Sequence, residues 1–545
     1  MKKKIISALL VAVMVFSLTA CGGGSDKKSA DGTYYNTYLD TDPTTMDPVK
    51  GNDTYSMGIL RNIMEPLTRM EEDGDKQERK GAGAESWESN DDGTVWTFHL
   101  RDNKWSDGEP VTADDYVYGM KQTLDPEAGS PNAFYITCIK NGEAIYNGEK
   151  DVSELGVKAV DDKTLEITLE YSVPYFLSLT DTRAMYPVRE DLVEKYGESY
   201  GANVESMVGC GPFKMTSWKR NSKIELEKNE NYWDKDSVKL DKVNYQIVSD
   251  QTARFNSFDS GSLDYVACAD KEWIGRFDKK DKVDVVEAPI PTVRYDFFNC
   301  QDKIFSNVNI RKAFTMAVNR EDMCSVIYND IHKPLYGWVP YSTSTGELGE
   351  YRDQVEEPLK SITEDPKELL LKGMQELGLG SDPSTLSITY TLSGTTEWTR
   401  NYAAYCQQMW EKILGVKVEL DFNEWGTFQS KTNNGEFQIA MMTWSIDYDD
   451  PMAMMEVFAG GSNMVPVFWQ NEQYDSLVAQ ARKEMDEKTR VDLYKQAENI
   501  LLAEDCVISP NVNEYTHSYY YQYVKNYNKL ASSTSGLKYV DTSAR

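Results

Sequence analysis

Cys21 follows Leu18-Thr19-Ala20 and precedes Gly22, while Lys2, Lys3 and Lys4 lead into an apolar run from Ile5 to Phe16. Residues of these types in this order suit proteolytic cleavage after a small side chain and modification of the thiol that cleavage leaves at the new terminus. The remaining chemistry-bearing groups are dispersed. Cys138, Cys210, Cys268, Cys300, Cys324, Cys406 and Cys506 show no CxxC spacing, and His99, His332 and His517 form neither HExxH nor HxH. These spacings argue against a zinc ribbon, a thioredoxin-like centre and a histidine metal site, and leave the cysteines as buried small apolar residues. Gly209-Cys210-Gly211 lacks a following GK[ST], which argues against phosphate binding. The turn holding Asp447, Asp449 and Asp450 lacks the DxDxDG pattern and distal Glu of a calcium loop. By itself it reads as a solvated turn, or as the cap of a helix after Pro451. Paired carboxylates carry no hydrolase assignment among 88 Asp and Glu, and no GxSxG or SxxK set accompanies them.

These groups must be positioned by a large globular chain. The 545 residues have 40% hydrophobic and 27% charged content, enough for several domain-sized units and unlike disordered or collagenous sequence. With 58 Lys and Arg the formal charge is −30, and without the three lysines of the first 20 residues it is −33. That balance excludes nucleic acid as a partner, because phosphate neutralisation needs clustered cations. The Ile5–Phe16 run is too short for a bilayer core of about 30 Å, and no later stretch reaches about 18 apolar residues. Gly22 to Ser29 reads as a flexible tether.

Periodicity predicts strands over 34–38, 164–169, 416–422 and 437–444 and a hairpin around the Asp92-Gly93 turn. It predicts helices over 55–67, 309–327, 398–414, 474–485 and 489–502, and one starting at the capping-box-like Thr112-Ala113-Asp114-Asp115. Residues 71–79 read as a charged break. The interleaving predicts an α/β protein without internal repeats.

The residues around Cys21 resemble a bacterial lipobox, which implies cleavage before Cys21 and lipid on its thiol. An ordered series of further motifs runs along the chain: Thr45-Met46-Asp47-Pro48, Met64-Glu65-Pro66-Leu67, the stretch from Trp96 to Asp115, Gly209 to Phe213, Glu227 to Trp233, Asn309 to Phe314 with Asn319-Arg320, and Asp447 to Pro451. In this order they resemble the extracellular solute-binding proteins of oligopeptide and dipeptide ABC importers. The resemblance implies a two-lobed periplasmic-binding-protein-like clamp with an additional α/β domain. It divides the chain into signal peptide 1–20, tether 21–30, one lobe from 31–71, 199–290 and 489–545, the additional domain 72–198, and the other lobe 291–488. Hinge crossings are expected near Pro289-Ile290-Pro291 and Glu487-Lys488.

The same resemblance implies a monomer on the outer face of the cytoplasmic membrane, held by its lipid, that binds peptide and delivers it to permease subunits with cytoplasmic ATPases. No cofactor and no enzymatic activity are implied. Strand-like pairing with the ligand backbone falls on Thr54, Tyr55 and Ser56 in one lobe and on Thr443, Trp444 and Ser445 in the other. Asp447 aligns with the acid that binds the ligand's free α-amino group. Where basic groups for a short peptide's carboxylate are expected, this sequence has Thr399, Thr432 and Met441, with Arg400 and Lys431 one residue away. Arg400 is therefore a candidate contact, and ligand length stays open. An oligosaccharide or another non-peptide solute, for which Trp398, Trp410, Trp425, Trp444 and Trp469 could provide flat faces, is the alternative.

Overall fold

The computed structural model describes residues 32–73, 76–346, 348–394, 396–460, 464–529 and 534–545. The readings at residues 1–20 and at Cys21 lie outside them. The first strand, Tyr34–Leu39, has its alternate residues Tyr35 and Thr37 buried and runs parallel to Lys242–Ile247. Lys223–Lys228 and Phe213–Lys219 complete this four-stranded sheet by antiparallel pairing.

The expected hairpin forms from Ala84–Ser89 and Val95–Leu100, with Gly93 at φ 67°, a left-handed conformation that glycine adopts without strain. Thr164–Thr168 and Val157–Asp161 extend it into a second antiparallel sheet. Helix Ala113–Leu124 lies against that sheet. The Asp115 carboxylate reaches back to accept the Thr112 N–H at 2.8 Å, which supplies one bond of the predicted capping box.

Two sequence readings need correction. The charged break at 71–79 is a two-stranded ribbon, Thr68–Asp73 with Lys76–Gly81. Its polar side chains give no strand alternation to read, and it is fixed from outside by Arg79 to Asp181 at 2.8 Å and Thr68 to Thr180 at 2.6 Å. The helix expected over 309–327 is two helices, Val308–Met316 and Arg320–Tyr328. Asn319 adopts an extended backbone and accepts the Asp322 N–H, which starts a new helix.

The third sheet is the frame of the molecule. Its order is Tyr265–Ala267, Ile508–Tyr521, Val283–Phe298, Ile439–Ser445, Ser387–Ser393, Lys417–Asn423, with Lys333–Pro334 pairing beside Ile508–Tyr521. The two long strands pair antiparallel, with register shifts between Pro289 and Val293 and between Arg294 and Tyr295. Pro289 and Pro291 have no N–H to donate, so the ladder cannot continue through them. The freed carbonyl of Ile290 is taken by the Asn513 side chain at 2.9 Å. Helix Glu487–Asn499 packs on Glu472–Ala481 and ties itself to the 338–450 region, through Glu498 accepting the Trp338 N–H and Tyr494 donating to Asp450. Helix Glu487–Asn499 therefore packs with the 291–488 segment, the strand Ile508–Tyr521 carries the chain back beside Tyr265–Ala267, and the last residues bond to Asn62, Asp234 and Asp264.

Glu65, in the Met64-Glu65-Pro66-Leu67 motif, is the buried joint between the first lobe and the additional domain. It pairs with Arg69 and accepts from Tyr232 at 3.0 Å and from the Trp233 indole at 2.7 Å, while its carbonyl accepts from Tyr116 at 3.1 Å. Removing one partner of a buried pair leaves the other charge unsolvated, so Glu65→Gln is expected to cost about 3–5 kcal/mol. A urea-unfolding midpoint unchanged from wild type would refute this joint.

Candidate functional site

Strand Ile439–Ser445 pairs along its length with Val283–Phe298. On its other edge only Ile439 and Ala440 pair, with Tyr390 and Thr391. From Met441 to Ser445 that edge has no strand neighbour among the described residues. The Ile446 N–H donates to Pro291 at 3.0 Å, on the paired side. Main-chain groups alternate along an antiparallel strand, so Thr443 and Ser445 present their N–H and C=O on the open edge. Their side chains are exposed, and Ser445 shares a 2.7 Å hydroxyl contact with Thr292. Trp444 points to the other face, half-buried, with its indole N–H buried and without a hydrogen-bond partner.

Two residues past the strand, Asp447 enters the cleft. Tyr135, from the additional domain, donates its hydroxyl to Asp447 Oδ1 at 2.9 Å. The Asp447 side chain is exposed at its surface while protein packs closely around its base. Desolvation raises its pKa above the usual carboxylate range, against the Tyr135 hydrogen bond and the Arg183 charge, which lower it. Arg183 is held by Asn132 Oδ1 at 2.8 Å, and the Asn132 amide clamps the carbonyls of Pro48, Val49 and Gly51 at 3.0–3.2 Å. Hydrogen bonds and charge thus run from Asp447 to the loop before helix Thr54–Ile63.

The acidic turn divides its work. Asp450, not Asp447, accepts the Met452 N–H at 2.9 Å, forms an ion pair with Arg490 at 2.9 Å, and accepts from Tyr494 at 2.9 Å. Tyr448 stacks on Tyr175 of the additional domain, centroids 4.9 Å apart, and donates to Glu456 at 2.8 Å. Asp449 accepts the Ser344 N–H at 2.8 Å. Asp447 is the exposed acid of this turn, and Asp449 lines the same recess, partly buried. Among the described residues no group of three or more His, Cys, Asp or Glu is arranged to hold a metal ion.

The remaining contacts differ from expectation. Thr54, Tyr55 and Ser56 are the first turn of helix Thr54–Ile63, with Asp53 as its cap accepting the Ser56 N–H at 2.7 Å and hydroxyl at 2.6 Å. Ser56 is buried. A helical turn cannot form a strand ladder, so strand-like pairing is available at Thr443 and Ser445 but not at 54–56. Arg400 is exposed on the first turn of helix Glu397–Leu414. Thr399, Thr432 and Met441 are buried, and Lys431 is paired with Asp421 at 2.7 Å. Of the tryptophans, Trp410 is core, its indole donating to the Phe314 carbonyl at 2.9 Å. Trp398 carries the Arg294 guanidinium over its ring at 4.1 Å, and Arg294 pairs with Glu514 at 2.7 Å. Tyr135, Asn132 and Arg183 escaped the sequence reading because each lies more than 200 residues from Asp447 and carries no motif of its own.

Long paired strands joining two sheet systems, with an open strand edge and a cleft acid beside them, define a two-lobed solute-binding protein. Residues 78–465 match the bacterial extracellular solute-binding proteins, family 5, and the chain belongs to that family. It is 36% identical over 518 residues to the dipeptide-binding protein DppE of Bacillus subtilis (strain 168), covering 93% of each chain. It is 35% identical over 526 residues to the oligopeptide-binding protein OppA of the same organism, covering 92% of this chain and 93% of that one. Listeria monocytogenes OppA bound to peptide has the same fold, with a TM-score of 0.76 at 28% identity over 94% of this chain and 99% of that chain.

The Tyr135 hydroxyl bond lowers the Asp447 pKa, so Tyr135→Phe is expected to raise it further. Carboxyl-carbon NMR titration of the ligand-free protein checks this, and an unchanged or lower midpoint would exclude the bond.

Proposed function

We propose that this protein is the peptide-capturing component of an ABC importer. The observation that carries the reading is the open edge of Ile439–Ser445 ending at Asp447. A peptide of any sequence offers a backbone and a free amine. The edge at Thr443 and Ser445 pairs with the backbone, and Asp447 pairs with the amine through a charge-assisted bond. The first-turn N–H groups of Thr54 and Tyr55 are the donors that the facing lobe contributes. Thr399, Thr432 and Met441 stand where basic groups would anchor a short peptide's carboxylate, and Lys431 is engaged by Asp421, which favours ligands whose C-terminus is not tightly anchored. Arg400, exposed on the first turn of helix Glu397–Leu414, is the candidate basic contact at that end. The named partners of the relatives, dipeptides and oligopeptides, support peptide over an oligosaccharide.

In this reading the chain binds and releases its ligand unchanged and is not an enzyme. Cys21 carries lipid that tethers the monomer to the outer face of the cytoplasmic membrane, where it hands peptide to permease subunits driven by cytoplasmic ATPases. Among the described residues no helix is long and apolar enough to cross a membrane, so the N-terminal lipid is the anchor this reading requires. Hinge motion is absorbed at the break between Pro289 and Val293 and at the facing residues Asn513 to Tyr515, which replaces the crossing expected near Glu487-Lys488. Ligand favours closure by touching both lobes.

The first test is native mass spectrometry of the tether-truncated protein from rich medium, then sequencing of what denaturation releases. Unblocked peptides at one per protein are expected. Recovery of a sugar, or no peptide binding after refolding against a library, would reject peptide capture. Asp447→Asn is expected to weaken free-amine peptides by about ten-fold or more, near 1.4 kcal/mol, and to leave N-acetylated peptides unaffected. Because the pKa of Asp447 is raised, protonation removes the amine's partner at a higher pH than for an ordinary aspartate near about 3.9. Calorimetric affinity should therefore fall as pH drops toward that range, and this acid loss should vanish in Asp447→Asn.

A further inference from the structure

Beside Asp447 the cleft continues into a cavity of about 110 Å³ where all three parts of the molecule meet, with Arg61, Arg79, Asp181, Pro291, Asp447 and Asp449 on its walls. It has room for water or for one short polar side chain. Its charges are not all matched. Arg79 is neutralised by Asp181 at 2.8 Å, and Asp450 is turned away to Arg490. Two groups remain. Asp449 Oδ1 accepts the Ser344 N–H, while its Oδ2 is buried with no hydrogen-bond donor. Arg61, half-buried in the last turn of helix Thr54–Ile63, forms no hydrogen bond or ion pair through its guanidinium among the described residues. A buried acceptor without a donor is costly, and native proteins rarely leave one. Consistent with that cost, desolvation pushes the Asp449 carboxyl up to about 6, against the lowering effects of the Ser344 amide and Arg79.

The occupant that completes this cavity must donate to Asp449 Oδ2 and accept from Arg61. A carboxamide does both with one planar group. A carboxylate would suit Arg61 but place another negative charge beside Asp447 and Asp449. An ammonium would suit Asp449 but face Arg61, and an apolar group would leave both unpaired. The side chain of a ligand's first residue branches one bond from the amine that Asp447 holds, which brings it to this cavity. We propose that the cavity is a side-chain subsite for the first residue of the bound peptide, selecting asparagine or glutamine through Asp449 Oδ2 and the Arg61 guanidinium. The proposal rests on the amine-anchoring role of Asp447. It assigns first-residue selectivity to Asp449 and Arg61, while Asp447 reads only the backbone amine.

Calorimetry with pentapeptides identical after the first residue, carrying Asn, Gln, Ala, Asp or Lys there, tests it. Asn-first and Gln-first peptides should bind at least about ten-fold tighter than Ala-first. Arg61→Met should erase that advantage while Ala-first peptides still bind, and a thermal-unfolding curve like that of wild type reports that the variant is folded. Asp449→Asn keeps the acceptor for Ser344 but turns the second oxygen into a donor, so the preference should move to Asp-first. Equal affinity for every first residue in wild type, or a carboxamide preference that survives both substitutions, overturns the subsite. If that flat profile comes with uniform weakening by Asp447→Asn, peptide capture stands without it. If no peptide of the series binds, both fall.

Discussion

A strand edge without a neighbour leaves main-chain donors and acceptors that water or another chain must satisfy. In this protein that edge lies at Met441 to Ser445, at the mouth of the cleft, and the surrounding structure keeps it open. Ser387–Ser393 pairs with the first two residues of the strand and goes no further, while Val283–Phe298 holds the opposite side throughout. The chain then leaves the strand directly into the acidic turn, so the open edge and the cleft acid share one rigid support. A ligand that completes the sheet gains its affinity from groups every peptide carries, which is how one site can serve many sequences.

The additional domain contributes more than bulk. Tyr135 meets Asp447, Tyr175 stacks on Tyr448, and the Ser172 hydroxyl reaches the Met485 sulfur at 2.8 Å. Tyr135 and the protein around it partly desolvate the acid, which strengthens its attraction for a cation and raises the cost of its charge. Arg183 and the Tyr135 hydroxyl offset that cost in part. The formal charge of −30 acts over longer range in the same sense, favouring the approach of solutes with a positive end.

One short turn divides its work among three acids. Asp450 is fixed by Arg490, Tyr494 and the Met452 amide, so it serves packing. Asp447 and Asp449 both line the recess, but Asp447 is exposed and bonded to Tyr135 while Asp449 is partly buried and takes the Ser344 N–H. Three acids within four residues thus have three different electrostatic surroundings, set by which element packs over each one.

Elements whose stability is local were legible in the sequence. Helix Glu397–Leu414, strand Lys417–Asn423 and the hairpin at Gly93 form near their predicted places, because apolar period and turn chemistry act over a few residues. The Thr112–Asp115 bond is of the same kind. The ribbon at 68–81 and the restart at Asn319 were not, since the first depends on Asp181 and Thr180 and the second on a single cap that interrupts an otherwise continuous apolar face. The resemblance of ordered motifs pointed to Asp447 and to the strand before it. Whether that acid faced solvent or a site, which of its neighbours capped the next helix, and that 54–56 form a helical turn were decided by tertiary packing. Asp447 meets Tyr135 across 312 positions of chain, and contacts of that separation leave no period or spacing in a sequence.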